Sequence, residues 1–258
     1  RIALFLSAMR HFAAELRERD WPVDYVPLDA EVPADFGARL RQALQHHRPQ
    51  ALKVVEAGEW RMQQLIEAAC SDSGVALQSL DDTHFLCSRQ EFAGWAKTKR
   101  ELRMEFFYRE MRKRHQVLMQ GREPVGGQWN FDKDNRLPPP KNYTWPKYLE
   151  HDRDAIDQEV AKELGYKPKN YWATTRSGAL KQLDNFLKNH FANFGPYEDA
   201  VTTENWALHH SLLSPYLNNG LLHASEVISA AMKRYSKGDI PIASAEAFVR
   251  QIIGWREY

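Results

Sequence analysis

The chain has 258 residues, 43% of them hydrophobic, with a net charge of +1 and two cysteines. That is length for one large domain or two small ones, and the balanced charge excludes a uniformly basic nucleic-acid surface. Two distant cysteines without a C-x-x-C exclude a disulfide framework, point to a reducing compartment, and make no metal quartet. No apolar run reaches the length of a membrane span and no signal peptide is visible, so a cytoplasmic protein is expected.

In chain order, "IALFLSA" reads as a strand and "MRHFAAELRERDW" as a helix. "PVDYVPL" reads as a strand, "DFGARLRQALQHH" as a helix, "ALKVVEA" as a strand and "WRMQQLIEAACSDSG" as a helix. "VALQSL" and "HFLCS" complete the alternation. Strand and helix in turn imply right-handed βαβ units and a mostly parallel sheet, Rossmann-like or flavodoxin-like. No G-x-G-x-x-G accompanies it, which argues against an ordinary nucleotide enzyme.

From Ser88 the period is helical, and Lys97 to Arg114 holds eight Lys or Arg against three Glu. Two readings stand: a solvated helix packing Phe106, Phe107 and Tyr108 inward, or a helix presenting Arg109, Arg112, Lys113 and Arg114 to phosphate. Gln120 to Tyr148 is rich in Gly, Pro, Asn and Asp and reads as a crossing loop between domains, with Trp129 and Phe131 packing it down. After Pro146 the chain is expected to be helical. Gly165 would stop the first helix. Thr175 or Ser177 would cap the next, with Leu180, Leu183, Phe186 and Leu187 buried, and Ser244 would cap the last. Arg1 in place of Met, and a final helix still running at Tyr258, read as a chain cut from a longer one.

The segment "HHSLLSPYLNNGLL" concentrates chemistry. Ser214 is a candidate N-cap and Pro215 a candidate first helical residue. A helix starting there offers free N–H groups and the positive end of its dipole, with the Ser211 hydroxyl three residues earlier. Asn218-Asn219-Gly220 lets another group approach closely. Phosphate binding and a plain helix start are both open on these residues alone.

"SLLSPYLNNG" resembles the flavin-binding segment of photolyases and cryptochromes, roughly T-S-x-L-S-P-Y-L-x-x-G, with His210 at the usual Thr position. "TTRSGALKQLDNFL" resembles the helix preceding that segment. "FVRQIIGWREY" resembles the family's R-E-x-x-W-R-E-F helix, with Trp255, Arg256 and Glu257 matching and Gln251 one place off an acidic position. "MEFFYREMRKRHQVLMQGREPVGGQWNFDKDNR" and "IALFLSAMRHFA" narrow the resemblance to the bacterial photolyase-related family, the iron–sulfur cryptochromes and (6-4) photolyases.

The resemblance implies an α/β N-terminal Rossmann-like antenna domain (1–119), an interdomain loop (120–148) and an incomplete all-α FAD-binding domain (149–258). It implies FAD held by Ser211, Leu213, Ser214, Asn218 and His210, with Tyr197 closing over it. Gln251, Trp255 and Arg256 become lesion-pocket candidates, Trp255 also reading as a wall near the flavin or as a core residue. It implies a 6,7-dimethyl-8-ribityllumazine antenna, a [4Fe–4S] cluster whose cysteines lie beyond this chain, and UV-damaged DNA as partner of a monomer. The activity implied is light-driven repair by electron transfer from excited reduced FAD to a flipped pyrimidine photoproduct. The alternatives are a blue-light-sensing cryptochrome without repair, and a non-catalytic relative that binds DNA or protein.

Overall fold

A computed structural model describes residues 1–27, 33 and 35–258. The described chain is helix-rich with few short strands and divides into two compact units, residues 24–91 and residues 1–23 with 92–258.

In the smaller unit, α2 (Phe36–His47), β1 (Ala51–Val55), α3 (Trp60–Ser73) and β2 (Ala76–Leu80) follow the expected alternation. Asp35 caps α2 by accepting from Ala38 N at 2.7 Å, and Gly74 ends α3 at φ 65°, where a side chain would be strained. β1 and β2 pair in parallel from Ala51–Ala76 to Val55–Leu80. Leu44, Ile66 and Cys70 are the buried centre, against which Leu52, Val54 and Leu77 pack.

Two expected strands do not form. "HFLCS" is a series of turns and bends, and residues 22–27 of "PVDYVPL" are irregular, its Leu28 lying outside the described residues. The sheet described is two-stranded.

In the larger unit, "IALFLSA" is helix, not strand: α1 spans Ile2–Glu18. The run is apolar on both faces, so its period is ambiguous. Small residues Ala3, Ser7, Ala8 and Ala13 are buried, while Ile2, Phe5, Met9 and Phe12, at i, i+3, i+7 and i+10, are exposed. α1 packs on α6 (Ala155–Leu164), tied by Arg10 to Glu163 and by His11 to Asp154 at 2.7 Å. The basic segment forms α4 (Arg89–Lys97) and α5 (Met104–His115). Arg112 is fully buried. It donates to the carbonyls of Val117, Leu118 and Trp129, so it does not meet an outside phosphate.

The crossing loop holds only a two-residue hairpin, β3 (Met119–Gln120) with β4 (Glu123–Pro124), and two 3-10 turns. Phe131 is buried, and Trp129 is half-buried beneath the cations of Arg109, Arg112 and Lys113, each within 5.4 Å of its ring centre.

Helices α7 (Arg176–Asn189), α8 (Phe191–Phe194), α9 (Ser214–Asn218), α10 (Ala224–Tyr235) and α11 (Ile242–Val249) follow, α11 continuing as a π-helical turn Arg250–Trp255. Gly165 stops α6 as expected, at φ 69°. Thr175, not Ser177, caps α7 by accepting from Gly178 N at 3.2 Å. Leu180 is 40% exposed; Ala179 and Gln182 share the buried stripe with Leu183, Phe186 and Leu187 instead. Ser244 is no cap: it lies inside α11, fully buried, donating to Ala192 O at 2.7 Å and accepting from Gly195 N at 3.0 Å. Pro241 precedes the helix. Phe186 gathers the rings of Phe191, Phe194 and Phe248 at 4.8–5.8 Å to close the core.

Candidate functional site

A cavity of 710 Å³ lies between the His210–Ser214 segment with α9 and the end of α11. That size suits a cofactor or a flipped base. One wall is built by His210, Ser211, Leu212, Leu213, Ser214 and Asn218; the opposite wall carries Gln251, Trp255 and Arg256, with Glu198 and Asp199 between them. Eight of the nine residues singled out from sequence therefore meet at one cleft. The ninth, Tyr197, does not line it. Its ring stacks on His209 at 5.8 Å and 23°, in a neighbouring group with Tyr143 and Trp145.

The first wall is held rigidly. Asn205 Oδ1 accepts from Ala207 N and Leu208 N, and His210 N donates to Ala207 O at 2.9 Å. Buried Gln182 on α7 donates to Ser211 O at 3.0 Å. Leu212 sits at φ 57° and Leu213 at φ −93°, ψ −14°. A left-handed residue followed by a right-handed one turns successive N–H groups toward one point, a concavity that suits anions. Among the described residues the N–H groups of Ser211, Leu212, Leu213 and Ser214 donate to no protein acceptor. Ser214 is the first helical residue of α9, one place later than expected of a cap, and Leu213 precedes it as N-cap. Pro215 suits this first turn because it needs no acceptor.

The second wall owes its shape to the π-helical turn, in which Arg256 N donates five residues back to Gln251 O. Such turns are frequent where a helix serves a site. Trp255 is 55% exposed, so it is neither a core residue nor spent on packing. Gln251 donates to Glu198, whose carboxyl is raised above its ordinary value by burial, against the pull of Arg250. Sequence reasoning missed the supports behind this wall. Arg250 is nearly buried and pairs with Asp132 and, at 3.4 Å, with Glu246. Glu246 is fully buried and also accepts from Tyr108 OH at 2.9 Å and Phe131 N at 3.1 Å. One buried network thus ties α5 and the crossing loop to the helix that carries Gln251 and Trp255. Glu246 and Arg250 sit four apart in the chain, a spacing too common on helices to single them out.

Two further histidines, His209 and His190, stand near His210 of the first wall. Burial and the charges of His190 and His210 hold His209 down at about 4, and its Nε2 meets Tyr143 OH at 3.0 Å. Burial also lowers His190 and His210. Elsewhere, His11, Asp154 and Asp157 bring one ligand atom each within 4.8 Å. These atoms are engaged: Asp154 with His11 and Asp157 N, Asp157 with Thr174 Oγ1 at 3.1 Å.

The helix-rich fold with few short strands is compatible with a photolyase-like protein. The chain belongs to the deoxyribodipyrimidine photo-lyase-related protein family, whose model matches residues 1–177. It is 39% identical over 267 residues to a (6-4) photolyase of Agrobacterium fabrum, a match covering 100% of this chain and 53% of that protein. The chain thus spans about half the length of that relative. An uncharacterized protein of Acanthamoeba polyphaga mimivirus is 36% identical over 63 residues, covering 24% of this chain and 48% of that one. Among the described residues no helix is long and apolar enough to cross a membrane.

Proposed function

We propose that this chain is part of a light-driven, FAD-dependent DNA photolyase of the (6-4) type. What carries the reading is the convergence of His210–Ser214 and Asn218 with Gln251, Trp255 and Arg256 on one cleft. The cleft wall fits a flavin diphosphate: four free N–H groups, the Leu212–Leu213 concavity and the Ser211 and Ser214 hydroxyls supply donors, and no carboxylate stands in that segment. Bound there, FAD in its reduced, light-excited form would supply an electron for splitting a pyrimidine photoproduct.

The chain's own residues bind and orient. Gln182 fixes the Ser211 carbonyl so that the neighbouring N–H groups stay aimed at the diphosphate. The exposed face of Trp255 offers a stacking surface for a base flipped from the duplex, and damaged bases cost least to flip. Arg256, paired with Glu257, lines the same mouth, and Gln251 is held in place by Glu198. In this reading residues 1–119 are the antenna domain, 120–148 the interdomain loop and 149–258 the flavin domain. A lumazine antenna would belong to the first. The two cysteines, both buried and neither in a disulfide, do not make the four thiolates of a [4Fe–4S] cluster, so no step is assigned to one.

The test is the visible absorption of the protein expressed from its natural gene, followed by light-driven repair of lesion-bearing DNA. A flavin spectrum and repair are expected, with Trp255→Ala keeping the flavin and losing most lesion binding. A flavin that responds to light without repair would favour the blue-light sensor. A colourless protein that takes up no FAD would refute the reading.

A further inference from the structure

The cleft that would hold an anionic cofactor is also lined by two acidic residues, Glu198 and Asp199. Asp199 is exposed, and water screens a charge there. The Glu198 side chain is 13% exposed, so its charge would be screened far less. Ionised, it would oppose a diphosphate inside the same 710 Å³ cavity; neutral, it would not. Its neighbours decide which form it takes.

Three carboxyl groups share one guanidinium. Arg250 pairs with Asp132, stands 3.4 Å from Glu246 and reaches Glu198 only at 3.9 Å. Asp132 is 40% exposed and keeps part of its hydration. Glu246 is fully buried, but Tyr108 OH and Phe131 N both donate to it, and Arg112, whose donors all go to carbonyls, adds a second positive charge beside it. Two cations thus stand against three carboxyl groups. Glu198 has the weakest claim on them: 3.9 Å is beyond a hydrogen bond, and the donor it does hold is the neutral amide of Gln251. Burial accordingly raises its carboxyl above the ordinary value; Arg250 and Gln251 pull it down, and Asp199 and Asp132 push it up. The other groups on the cleft do not replace it. Burial lowers His210, and Arg256 is paired with Glu257.

We propose that Glu198 is the proton-carrying residue of the cleft: it is neutral whenever the cleft holds an anion, and above its ionisation the anion binds together with a proton. The inference rests on the reading of the cleft as a diphosphate site. Its sign is fixed. Below the Glu198 ionisation the residue is neutral in free and occupied protein alike, and pH leaves affinity unchanged. Above it the free protein must gain a proton as it binds, so affinity falls as pH rises, by up to about tenfold per pH unit. The test is an FAD titration of the protein expressed from its natural gene and stripped of bound flavin. Calorimetry in two buffers of different ionisation heat counts the protons, and flavin fluorescence gives the affinity across pH. Uptake approaching about one proton per FAD is expected at high pH. Glu198→Gln, of the same shape and uncharged at every pH, should take up none and should keep at high pH the affinity that wild type has at low pH; circular dichroism checks its fold. Asp199→Asn should leave the uptake in place. FAD binding by wild type without proton uptake, uptake that persists in Glu198→Gln, or uptake lost in His210→Gln instead, overturns the proposal. A protein that binds no FAD overturns the reading of the cleft, and the proposal with it.

Discussion

Gly195 immediately precedes the segment that carries Glu198 into the cleft, and replacing it with alanine tests the packing that sets this wall. Its φ of −58° and ψ of −60° suit any residue, so the perturbation is purely steric. The added Cβ would lie 2.8 Å from Ser244 Cα, Ser244 N and Asn135 Oδ1. Carbon atoms pack at about 3.5–4.0 Å, so the backbone of α11 must retreat by about 0.7 Å or more. That movement stretches Gly195 N to Ser244 Oγ and Ser244 Oγ to Ala192 O. Overpacking of about 1–3 kcal/mol and weakening of hydrogen bonds worth about 0.5–1.5 kcal/mol each give an expected loss of about 3 kcal/mol. At about 2–4 °C per kcal/mol for a unit of this size, Tm falls by about 6–12 °C. Urea unfolding followed by tryptophan fluorescence and circular dichroism measures it. Gly94→Ala is the control: it lies within α4 with nothing inside 4 Å of the new Cβ, and should stabilise by about 0.5–1 kcal/mol. A Gly195→Ala protein within about 0.5 kcal/mol of wild type would refute the steric reasoning.

Other substitutions probe other links. Arg112→Met strips the donors from the carbonyls of Val117, Leu118 and Trp129, and should cost about 3–5 kcal/mol in chemical denaturation. Gln182→Leu frees the Ser211 carbonyl; an FAD titration should show affinity reduced about tenfold, with the fold retained. His209 binds its proton less readily folded than unfolded, so the unfolded chain takes up more protons between pH 6.5 and about 4. Stability from this residue is complete above pH 6.5 and falls as the pH drops toward 4. A Tm–pH profile should show that slope, reduced in His209→Gln.

Local rules decided much of this protein without its tertiary structure. The parallel pair Ala51–Val55 and Ala76–Leu80 follows from short apolar runs alternating with a helical pattern, and the stops at Gly74 and Gly165 follow from the left-handed backbone glycine permits. The helix start at Ser214-Pro215 was legible because Ser and Pro are helix-start chemistry wherever the chain goes, whereas the flavin reading of that segment rested on its family resemblance.

Tertiary structure decided the rest. The opening run of α1, "IALFLSA", is apolar on both faces, so sequence period could not separate helix from strand there; packing of its small residues on α6 did. Ser244 looked like a cap because Ser caps helices, yet contacts with Ala192 and Gly195, about fifty residues earlier, hold it inside one. Glu246, Arg250, Tyr108 and Asp132 are individually unremarkable letters. They become a buried charge network only because the crossing loop and α5 are folded against α11. A charge can be buried only among partners placed by the whole fold, and that arrangement leaves no periodic trace in the sequence.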